Sequence, residues 1–333
     1  MGEPAVKRLR FGVVGCGAIS THYQLPAVQR CRQVELVAVA DTDLAWASRV
    51  GRRFGARRAV ADHREIIGLV DAALVATPNH THADITCDLL ESGIHVLCEK
   101  PMANTLAEVE RMLETSARTG SRLMAAHCLR FSPNLAMLKR VVSAGWLGPL
   151  RSVSGGIWAL YEAVPRRTDF RRQRRLSGGG VLIDLGIHLI DLTVWLAGEA
   201  PLQASYDDLS ASGWEVETDA EVGLEFPNGL TASLACSYSH PLENALTVRS
   251  RAGWARASLY APTQLTLFSE QARVCRKSGV QEIMLPDVSM YERQLDHFCR
   301  AVETGDDFII CAGEVRASIG VVGQCYRSER AAA

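Results

Sequence analysis

Short apolar runs alternate with segments of helical periodicity along the first part of the chain. Runs of strand length, rich in β-branched residues, occupy residues 9–14, 34–40, 72–76, 94–98 and 123–126. Amphipathic segments lie between them at 18–30, 44–54, 82–92 and 106–119. Strands that alternate with helices form parallel βαβ units, and strands this apolar are buried on both faces. The pattern therefore predicts a doubly wound parallel sheet.

Beyond residue 150, predicted strands follow one another without intervening helices. They lie at 151–159, 221–226, 230–238, 246–251 and 256–260. Pro227-Asn228-Gly229 is a hairpin turn signal between two of them. One helix is predicted at 133–144, and closing amphipathic helices are predicted at 289–304 and 313–327. This part of the chain is expected to form a large open, mainly antiparallel sheet.

A glycine pair follows the first predicted strand. Gly15 allows a tight turn, and Gly17 lets the backbone approach a pyrophosphate at the N-terminus of the next helix. Ala18 and Ile19 continue this loop. Ser20, a small residue, stands where the usual fingerprint has a third glycine. Because a glycine pair alone is common, the dinucleotide site is inferred from its position between a strand and a helix.

Asp41 ends the second predicted strand, where a carboxylate can accept hydrogen bonds from the adenosine ribose. The alternative role for Asp41 is to cap the helix that follows. Since a carboxylate repels a 2′-phosphate, NAD(H) is favoured as cofactor over NADP(H). Arg49, Arg52 and Arg53 keep NADP(H) possible, although they also fit a solvated helix face.

Size and charge limit the class of protein. A chain of 333 residues exceeds one ordinary hydrophobic core, so two domains are expected. We place a dinucleotide-binding domain at residues 1–126 and an α/β domain at 127–333, whose closing helices can pack back on the first; the resemblance described below makes them a Rossmann NAD(P)-binding domain and a substrate-binding and oligomerisation domain. The fold class is α/β. A net charge of −1 and the lack of a long apolar run indicate no nucleic-acid and no membrane partner.

The ten cysteines contain no Cys-x-x-Cys pair, and the N-terminus shows no signal-peptide core. Scattered cysteines in a chain of this size indicate reduced thiols. We therefore expect a cytoplasmic protein without a metal site.

Two motifs follow the fourth and fifth strands, at the sheet edge where parallel αβ folds bind ligands. The first is Thr77-Pro78-Asn79 with His82, which alone also fits a simple turn and an early helix residue. The second is Glu99-Lys100-Pro101. A lysine at the end of a buried strand is unusual unless it has a partner, and an ordinary salt bridge with Glu99 is the alternative to a functional role.

The stretch 178–191 opens with three glycines and then carries Asp184, His188 and Asp191. At spacings of four and three, these side chains would share one face of a helix that is otherwise apolar. A carboxylate one turn from a histidine in such a helix indicates a proton-transfer site. The alternative is a buried structural contact between the histidine and the aspartate. Asp191 is expected to be structural.

Together these motifs resemble the Gfo/Idh/MocA oxidoreductases, the relatives of glucose–fructose oxidoreductase and inositol 2-dehydrogenase. The resemblance runs from Leu9 to Arg327, and the motifs follow the family's order. It implies an N-terminal Rossmann domain and a C-terminal α/β domain whose open sheet commonly mediates dimer or tetramer contacts. It also implies that cofactor and sugar or cyclitol meet in the cleft between the domains. A homodimer or homotetramer is therefore expected.

The resemblance assigns catalytic roles to Lys100, Asp184 and His188. His188 would be the base for alcohol oxidation or the acid for ketone reduction, which suits a group that titrates near neutrality. Lys100 would hydrogen-bond the reacting oxygen. Asp184 would orient the imidazole or hold a neighbouring substrate hydroxyl. The residues assigned to the cofactor are Gly15, Gly17, Ala18, Ile19, Asp41, Thr77, Pro78, Asn79, His82, Glu99 and Lys100.

The substrate is less constrained by the sequence. Six arginines precede the glycine run, and they fit either an anion site or a solvated loop or oligomer contact. They are Arg166, Arg167, Arg171, Arg172, Arg174 and Arg175. Phe131 is a further candidate for the cleft. Trp158 and Tyr161 are candidates for stacking on a sugar ring, although core packing fits both of them better. The residues assigned to the substrate are His127, Arg130, Trp158, Arg171, Asp184 and His188.

Three functions fit these features. The first is an NAD(P)-dependent oxidoreductase that interconverts a secondary hydroxyl and a ketone on a sugar, cyclitol or glycoside. The second is a reductase of a nucleotide-activated keto-sugar, which the arginines would favour. The third is a non-catalytic regulator that senses the cofactor, and the presence of Lys100, Asp184 and His188 argues against it.

Overall fold

The computed structural model describes residues 8–163, 167–211, 213–270 and 279–332. These residues form two compact units. The first draws on Met1–Ala126, Pro165–Asp169 and Tyr291–Ala312, and the second on His127–Val164, Phe170–Met290 and Gly313–Ala333. The first of the closing helices therefore belongs almost entirely to the first unit. Arg166 and Cys275 lie outside the described residues.

The first unit is built on a parallel sheet. Its strands are β1 (Leu9–Val14), β2 (Val34–Ala40), β3 (Arg58–Val60), β4 (Ala72–Val75), β5 (His95–Glu99) and β6 (Leu123–Ala126). All neighbouring pairs are parallel, in the order β3-β2-β1-β4-β5-β6. This is the strand order of dinucleotide-binding Rossmann folds, and it confirms the predicted doubly wound sheet. The short edge strand β3 was not predicted.

The second unit is built on a mixed sheet. Its strands are β7 (Leu150–Trp158), β8 (Gln203–Asp208), β9 (Asp219–Glu225), β10 (Thr231–Ser237), β11 (Ala245–Ser250), β12 (Gly253–Ser258), β13 (Gln264–Ser269) and β14 (Gln281–Met284). The order is β14-β13-β12-β11-β7-β10-β9-β8, and β7 and β10 form its one parallel pair among these strands. The prediction of an open, mainly antiparallel sheet is confirmed. Buried and exposed residues alternate along β9 and β10, so one face of the sheet packs inward and the other is solvated.

The helices cover the buried faces of the sheets. They are α1 (Leu25–Arg30), α2 (Leu44–Phe54), α3 (His82–Glu91), α4 (Leu106–Thr119), α5 (Pro133–Ser143), α6 (Arg174–Ser177), α7 (Ile187–Ala197), α8 (Met290–Thr304) and α9 (Ala312–Ala332). In the second unit α5 packs on β12 and β13, and α7 packs on β7 and β10. Wide π-helical turns precede α1 at Ser20–Gln24 and α7 at Leu182–Gly186. These turns interrupt segments that the sequence predicts as regular helix.

One helical stretch, Arg174–Ala197, is apolar and long enough to cross a membrane by length and composition, but its most apolar part is 78% buried inside the protein. Such burial is typical of the core helix of a globular domain. The nine cysteines that the structure describes are all free, and only Cys311 is exposed.

Candidate active site

The glycine loop leaves room for a ligand on one side only. Gly15 has a φ of 95°, and a Cβ there would overlap the carbonyl of Ala76 at the end of β4. At Gly17 a Cβ would meet no heavy atom within 4 Å. Ser20 donates a hydrogen bond from its hydroxyl to the Gly15 carbonyl over 2.5 Å. The loop is therefore packed against β4 at Gly15 and open to solvent space at Gly17, where a dinucleotide pyrophosphate fits.

Ala18 and Ile19 are the first helical residues after this loop, and the backbone N–H of Thr21 donates to the Gly17 carbonyl at 3.0 Å. Their N–H groups belong to the first turn of a helix, where an anion is stabilised by the helix dipole and by unpaired donors. The dinucleotide phosphates fit this position.

Asp41 is tied to the glycine loop and does not cap α2. Its carboxylate accepts from the Cys16 N–H and from the Asp43 N–H, each at 3.0 Å. The cap of α2 is Asp43, which accepts from the Trp46 N–H at 2.9 Å. Asp41 therefore does not have the alternative role of a helix cap. It stands beside the glycine loop, where its carboxylate oxygens can accept hydrogen bonds from ribose hydroxyls. Burial, reinforced by Asp41, raises the pKa of the Cys16 thiol to about 12.

His82 joins the loop after β4 to the loop after β5. It is buried, with its Nδ1 2.9 Å from the Pro101 carbonyl and its Nε2 2.8 Å from the Thr77 carbonyl. Burial lowers the pKa of His82, so the neutral imidazole is favoured and donates to one of these carbonyls at a time. His82, assigned to the cofactor from its sequence position, therefore acts on the two loops that carry Thr77 and Lys100.

Glu99 is also directed into the protein. Its Oε1 accepts from the Gln24 amide at 2.6 Å and its Oε2 accepts from the Lys100 backbone N–H at 3.2 Å. Burial raises the pKa of this carboxyl. The peptide bond between Lys100 and Pro101 is cis. Glu99, like His82, supports the Lys100 loop from behind, and Gln24 is a supporting residue that the sequence did not reveal.

The loop after β4 is held by threonine side chains. The Thr81 hydroxyl lies 2.8 Å from the Pro78 carbonyl and 2.7 Å from the Thr77 hydroxyl, and it donates its one proton to either oxygen. Asn79 is buried within the same turn. Thr77, Pro78 and Asn79 therefore form one fixed turn at the carboxyl end of β4, where parallel sheets present residues to a bound cofactor.

Buried Glu217 fastens the glycine run before Asp184. Its Oε1 accepts from the N–H groups of Gly180 and Leu182 at 2.9 and 3.1 Å, and from the Tyr326 hydroxyl at 2.7 Å. A Cβ at Gly179 would overlap Tyr326, and one at Gly180 would overlap the Glu217 carbonyl. These glycines are therefore required by close packing at the start of the helix.

Asp184 lies in the wide turn before α7 and is held by two donors. The Tyr238 hydroxyl donates to its Oδ2 over 2.6 Å, and Arg171 Nε donates to the same oxygen over 3.0 Å. Burial and then the Asp184 charge raise the pKa of Tyr238, which keeps the phenol protonated as a donor. His188 follows on the first turn of α7 and is partly exposed. No signal in the sequence indicates the partner Tyr238, because it directly follows β10, 54 residues after Asp184.

Arg130 and His127 lie in an internal charge cluster. Arg130 is fully buried and donates to the Asp191 carboxylate at 2.6 and 2.9 Å. It also pairs with Glu314, and His127 Nδ1 lies 3.6 Å from Asp191. A buried guanidinium needs such partners because desolvation of an unpaired charge is costly. The sequence predicted that Arg130 and His127 line the substrate site. In the structure both side chains are buried within the second unit, and Asp191 is their structural partner.

The arginines before the glycine run are engaged by several different partners. Arg172 donates to Glu162 at 3.0 Å and lies 3.8 Å from the centroid of the Trp214 ring. Arg174 lies over the Tyr326 ring, and Arg171 holds Asp184. These arginines form no single anion-binding cluster among the described residues.

The two aromatic candidates have protein partners. Tyr161 is buried and packs edge-on against Trp214 and Tyr238, with ring centroids 4.8 and 5.2 Å apart. Trp158 is partly exposed at the end of β7, where its backbone N–H donates to the Asn244 side-chain oxygen at 2.7 Å. Tyr161 therefore belongs to an aromatic core, whereas Trp158 keeps an accessible surface. No cluster of metal ligands occurs within the described ranges.

Comparison with known proteins identifies both parts of the chain. Residues 9–127 match the oxidoreductase family GFO_IDH_MocA, described as having an NAD-binding Rossmann fold, and residues 135–256 match a GFO/IDH/MocA C-terminal domain. A trans-1,2-dihydrobenzene-1,2-diol dehydrogenase of Mus musculus is 32% identical over 79% of each chain. The rhizopine catabolism protein MocA of Rhizobium meliloti is 34% identical over 58% of this chain and 59% of its own.

Among solved structures, an aldose-aldose oxidoreductase from Caulobacter crescentus, complexed with glycerol, superposes with a TM-score of 0.88 and 26% identity. It covers 98% of this chain and 99% of its own. The match extends over both units.

Proposed function

Because this chain belongs to the GFO/IDH/MocA family of NAD(P)-dependent oxidoreductases, we propose that it interconverts a secondary hydroxyl and a ketone on a sugar, cyclitol or glycoside. The names of the similar diol dehydrogenase and aldose-aldose oxidoreductase support a polyhydroxylated substrate. The observation that carries the proposal is the setting of Asp184. A carboxylate held by Tyr238 and Arg171, one turn before His188, is suited to fix a substrate hydroxyl or the imidazole.

The dinucleotide would be held by the loop at Gly15, Gly17, Ala18 and Ile19 and by Asp41. When bound, its nicotinamide ring accepts hydride in the oxidation and gives hydride in the reduction. Thr77, Pro78 and Asn79 complete the carboxyl edge of the first sheet.

In the oxidation, His188 takes the proton of the substrate hydroxyl as the carbon–hydrogen bond gives its hydride away. In the reduction, His188 returns that proton to the oxygen. Lys100 donates a hydrogen bond to the same oxygen and stabilises its alkoxide character. Asp184 positions a neighbouring hydroxyl of the substrate. Arg171, which the sequence assigned to the substrate, acts by holding the Asp184 carboxylate in place.

The contacts of the arginines favour a neutral substrate over a nucleotide-activated sugar. Arg171, Arg172 and Arg174 are engaged by carboxylates or aromatic rings, so no ready-made clamp for a diphosphate is formed by them. Trp158, which is partly exposed, is the aromatic residue we assign to the sugar face.

Lys100→Ala tests the proposal. Wild-type protein is given a panel of polyols, cyclitols, glycosides and nucleotide sugars with NAD⁺ and NADP⁺, and reduced nicotinamide is followed by absorbance. We expect turnover of a neutral polyol or cyclitol, and a loss of about a hundredfold or more in the variant, because an oxyanion donor is removed.

NADH binding, measured by calorimetry, should remain in the variant. Unchanged turnover in Lys100→Ala would remove the catalytic assignment. Turnover with nucleotide sugars alone would replace the proposed substrate class.

We further propose a homodimer or homotetramer formed through the solvated face of the second sheet, as the family resemblance implies. A row of small residues crosses neighbouring strands on that face. Ser154 pairs with Ser233, Ser233 with Gly223, and Gly223 with Ser205. Small side chains give a flat surface on which a second copy can pack closely. The free cysteines fit the proposed cytoplasmic location.

A further inference from the structure

Arg167 contacts the residues that follow β2, whereas Arg171, Arg172 and Arg174 contact residues of the second unit. Residues 167–169 belong to the first unit, and the chain from Phe170 onward returns to the second. Arg167 donates to Asp43 at 2.8 Å and to Asp41 at 3.3 Å. Its guanidinium also lies 4.7 Å from the centroid of the Trp46 ring. Two carboxylates and an indole thus fix one partly exposed arginine.

The contact with Asp41 places Arg167 at the ribose end of the dinucleotide site. In Rossmann domains the carboxylate after the second strand binds the ribose hydroxyls of NAD, and a nearby arginine accommodates the 2′-phosphate of NADP. Here the carboxylate oxygen that accepts from the Cys16 N–H also accepts from Arg167. The group that would choose between the two cofactors is therefore already paired with a cation.

Charge explains what this pairing does. Asp41 and Asp43 alone would present two negative charges to a phosphate at the ribose and would repel it. Arg167 offsets one of these charges and adds a planar donor fork that fits phosphate oxygens. The arginines of α2 have other contacts. Arg53 lies over the Phe54 ring, and Arg49 lies over the Trp46 ring at 5.0 Å. Of these three arginines, Arg167 is the one that donates to Asp41.

We propose that Arg167 admits the 2′-phosphate, so that this protein binds NADP(H) as well as NAD(H). With NADP(H), the guanidinium shifts from Asp41 to the phosphate and keeps its contact with Trp46. With NAD(H), it stays on Asp43 while the ribose hydroxyls use Asp41. This inference rests on the dinucleotide binding of the proposed function but not on the identity of the sugar.

The test compares cofactor binding by calorimetry in wild type, Arg167→Ala and Arg118→Ala. Arg118→Ala is the matched control because it removes the same charge from an exposed arginine of the first unit that is also paired with a carboxylate, Glu91. We expect Arg167→Ala to weaken NADPH binding about tenfold or more and NADH binding less than about threefold, since a charge-assisted hydrogen bond to phosphate is lost. Arg118→Ala should leave the ratio of the two affinities unchanged. High salt should shrink the difference between wild type and Arg167→Ala.

Asp43→Asn provides the reverse change. It removes one carboxylate that holds Arg167, so NADPH binding should strengthen severalfold while NADH binding changes little. Equal losses for both cofactors in Arg167→Ala, or no measurable NADPH binding by wild type, would overturn the proposal. Thermal unfolding of each variant reports whether it folds. Cofactor binding is measured without turnover, so the result does not depend on whether the proposed sugar reaction is correct. Equally, a negative result for Arg167 would not contradict the proposed sugar reaction.

Discussion

At the scale of single residues, the candidate site depends on side chains that lie far apart in the sequence. Asp184 is bonded to Arg171, 13 residues before it, and to Tyr238, 54 residues after it. Asp191, one turn beyond His188, has the opposite role, because it neutralises the buried Arg130. Two aspartates on one short stretch thus differ in their partners and in their burial, because Asp184 is partly exposed and Asp191 is buried in the core.

Tyr238→Phe should show how much Asp184 depends on its donor. The variant keeps the packed ring and removes only the hydroxyl that donates to Asp184. We expect kcat/KM to fall about tenfold, since a hydrogen bond to a charged group is lost, while cofactor affinity is unchanged. Tyr23→Phe, at an exposed tyrosine of the first unit, is the control. A variant as active as wild type would show that the Tyr238 hydroxyl only fills space.

At the scale of elements, the sequence located most strands and helices but not their irregular turns. Strands β1, β2 and β6 and helices α2 and α4 have the predicted bounds. Strands β8, β13 and β14 were missed because they lie towards the edges of the second sheet, where the burial that produces a sharp hydrophobic pattern is weaker. The wide turns at Ser20–Gln24 and Leu182–Gly186 were missed because helical periodicity does not record a local change of hydrogen-bond register.

The candidate site was predictable to the extent that motifs at strand ends define it. The glycine loop, Asp41 and the loop of Lys100 stand at the carboxyl ends of strands, as their sequence positions indicated. What the sequence could not give is which motif residues face inward. Glu99 and His82 are motif residues with buried partners, and Gln24 and Glu217 support the site without any local signal.

The start of the Asp184 helix gives a pH-dependent prediction. Burial raises the pKa of Glu217. The folded protein therefore binds this proton more tightly than the unfolded chain, and stability falls as the pH rises from about 4.3, the ordinary glutamate value, through the raised pKa. Each tenfold difference in proton affinity between the folded and unfolded chains corresponds to about 1.4 kcal/mol of unfolding free energy.

Glu217→Gln removes this titration, while its amide oxygen can still accept from Gly180 and Tyr326. We expect the difference in unfolding temperature, variant minus wild type, to increase from acid to neutral pH. Glu225→Gln, at an exposed glutamate of β9, should show no such trend. A difference that is constant or decreases with pH would contradict a raised pKa at Glu217.

At the scale of the whole molecule, each unit has its own sheet, and the second sheet leaves one face to solvent. Along β10 the exposed residues Thr231 and Ser233 alternate with the buried residues Ala232 and Leu234. The central row of this face consists of the small, uncharged residues Ser154, Ser233, Gly223 and Ser205. A face of this kind suits self-association, which the proposed dimer or tetramer requires.

Ser233→Lys tests that assembly. A lysine at the centre of the row would place like charges opposite each other in a symmetric interface. We expect the mass measured by light scattering to fall to that of the single chain, with unfolding temperature reported in parallel. Ala107→Lys, at an exposed position of α4 in the first unit, is the control. An unchanged mass in Ser233→Lys would exclude this face as the interface.

The bond between Tyr326 and Glu217 has a consequence for how the protein is made. The two residues are 109 positions apart, and the hydroxyl of Tyr326 fills the space beside Gly179. During synthesis the segment that carries Asp184 and His188 leaves the ribosome long before Tyr326 does. The full set of contacts at the start of the helix that bears the proposed acid–base residue therefore becomes available only after α9 has been translated. A nascent chain halted before that point lacks the donor to Glu217 and the side chain that packs against Gly179.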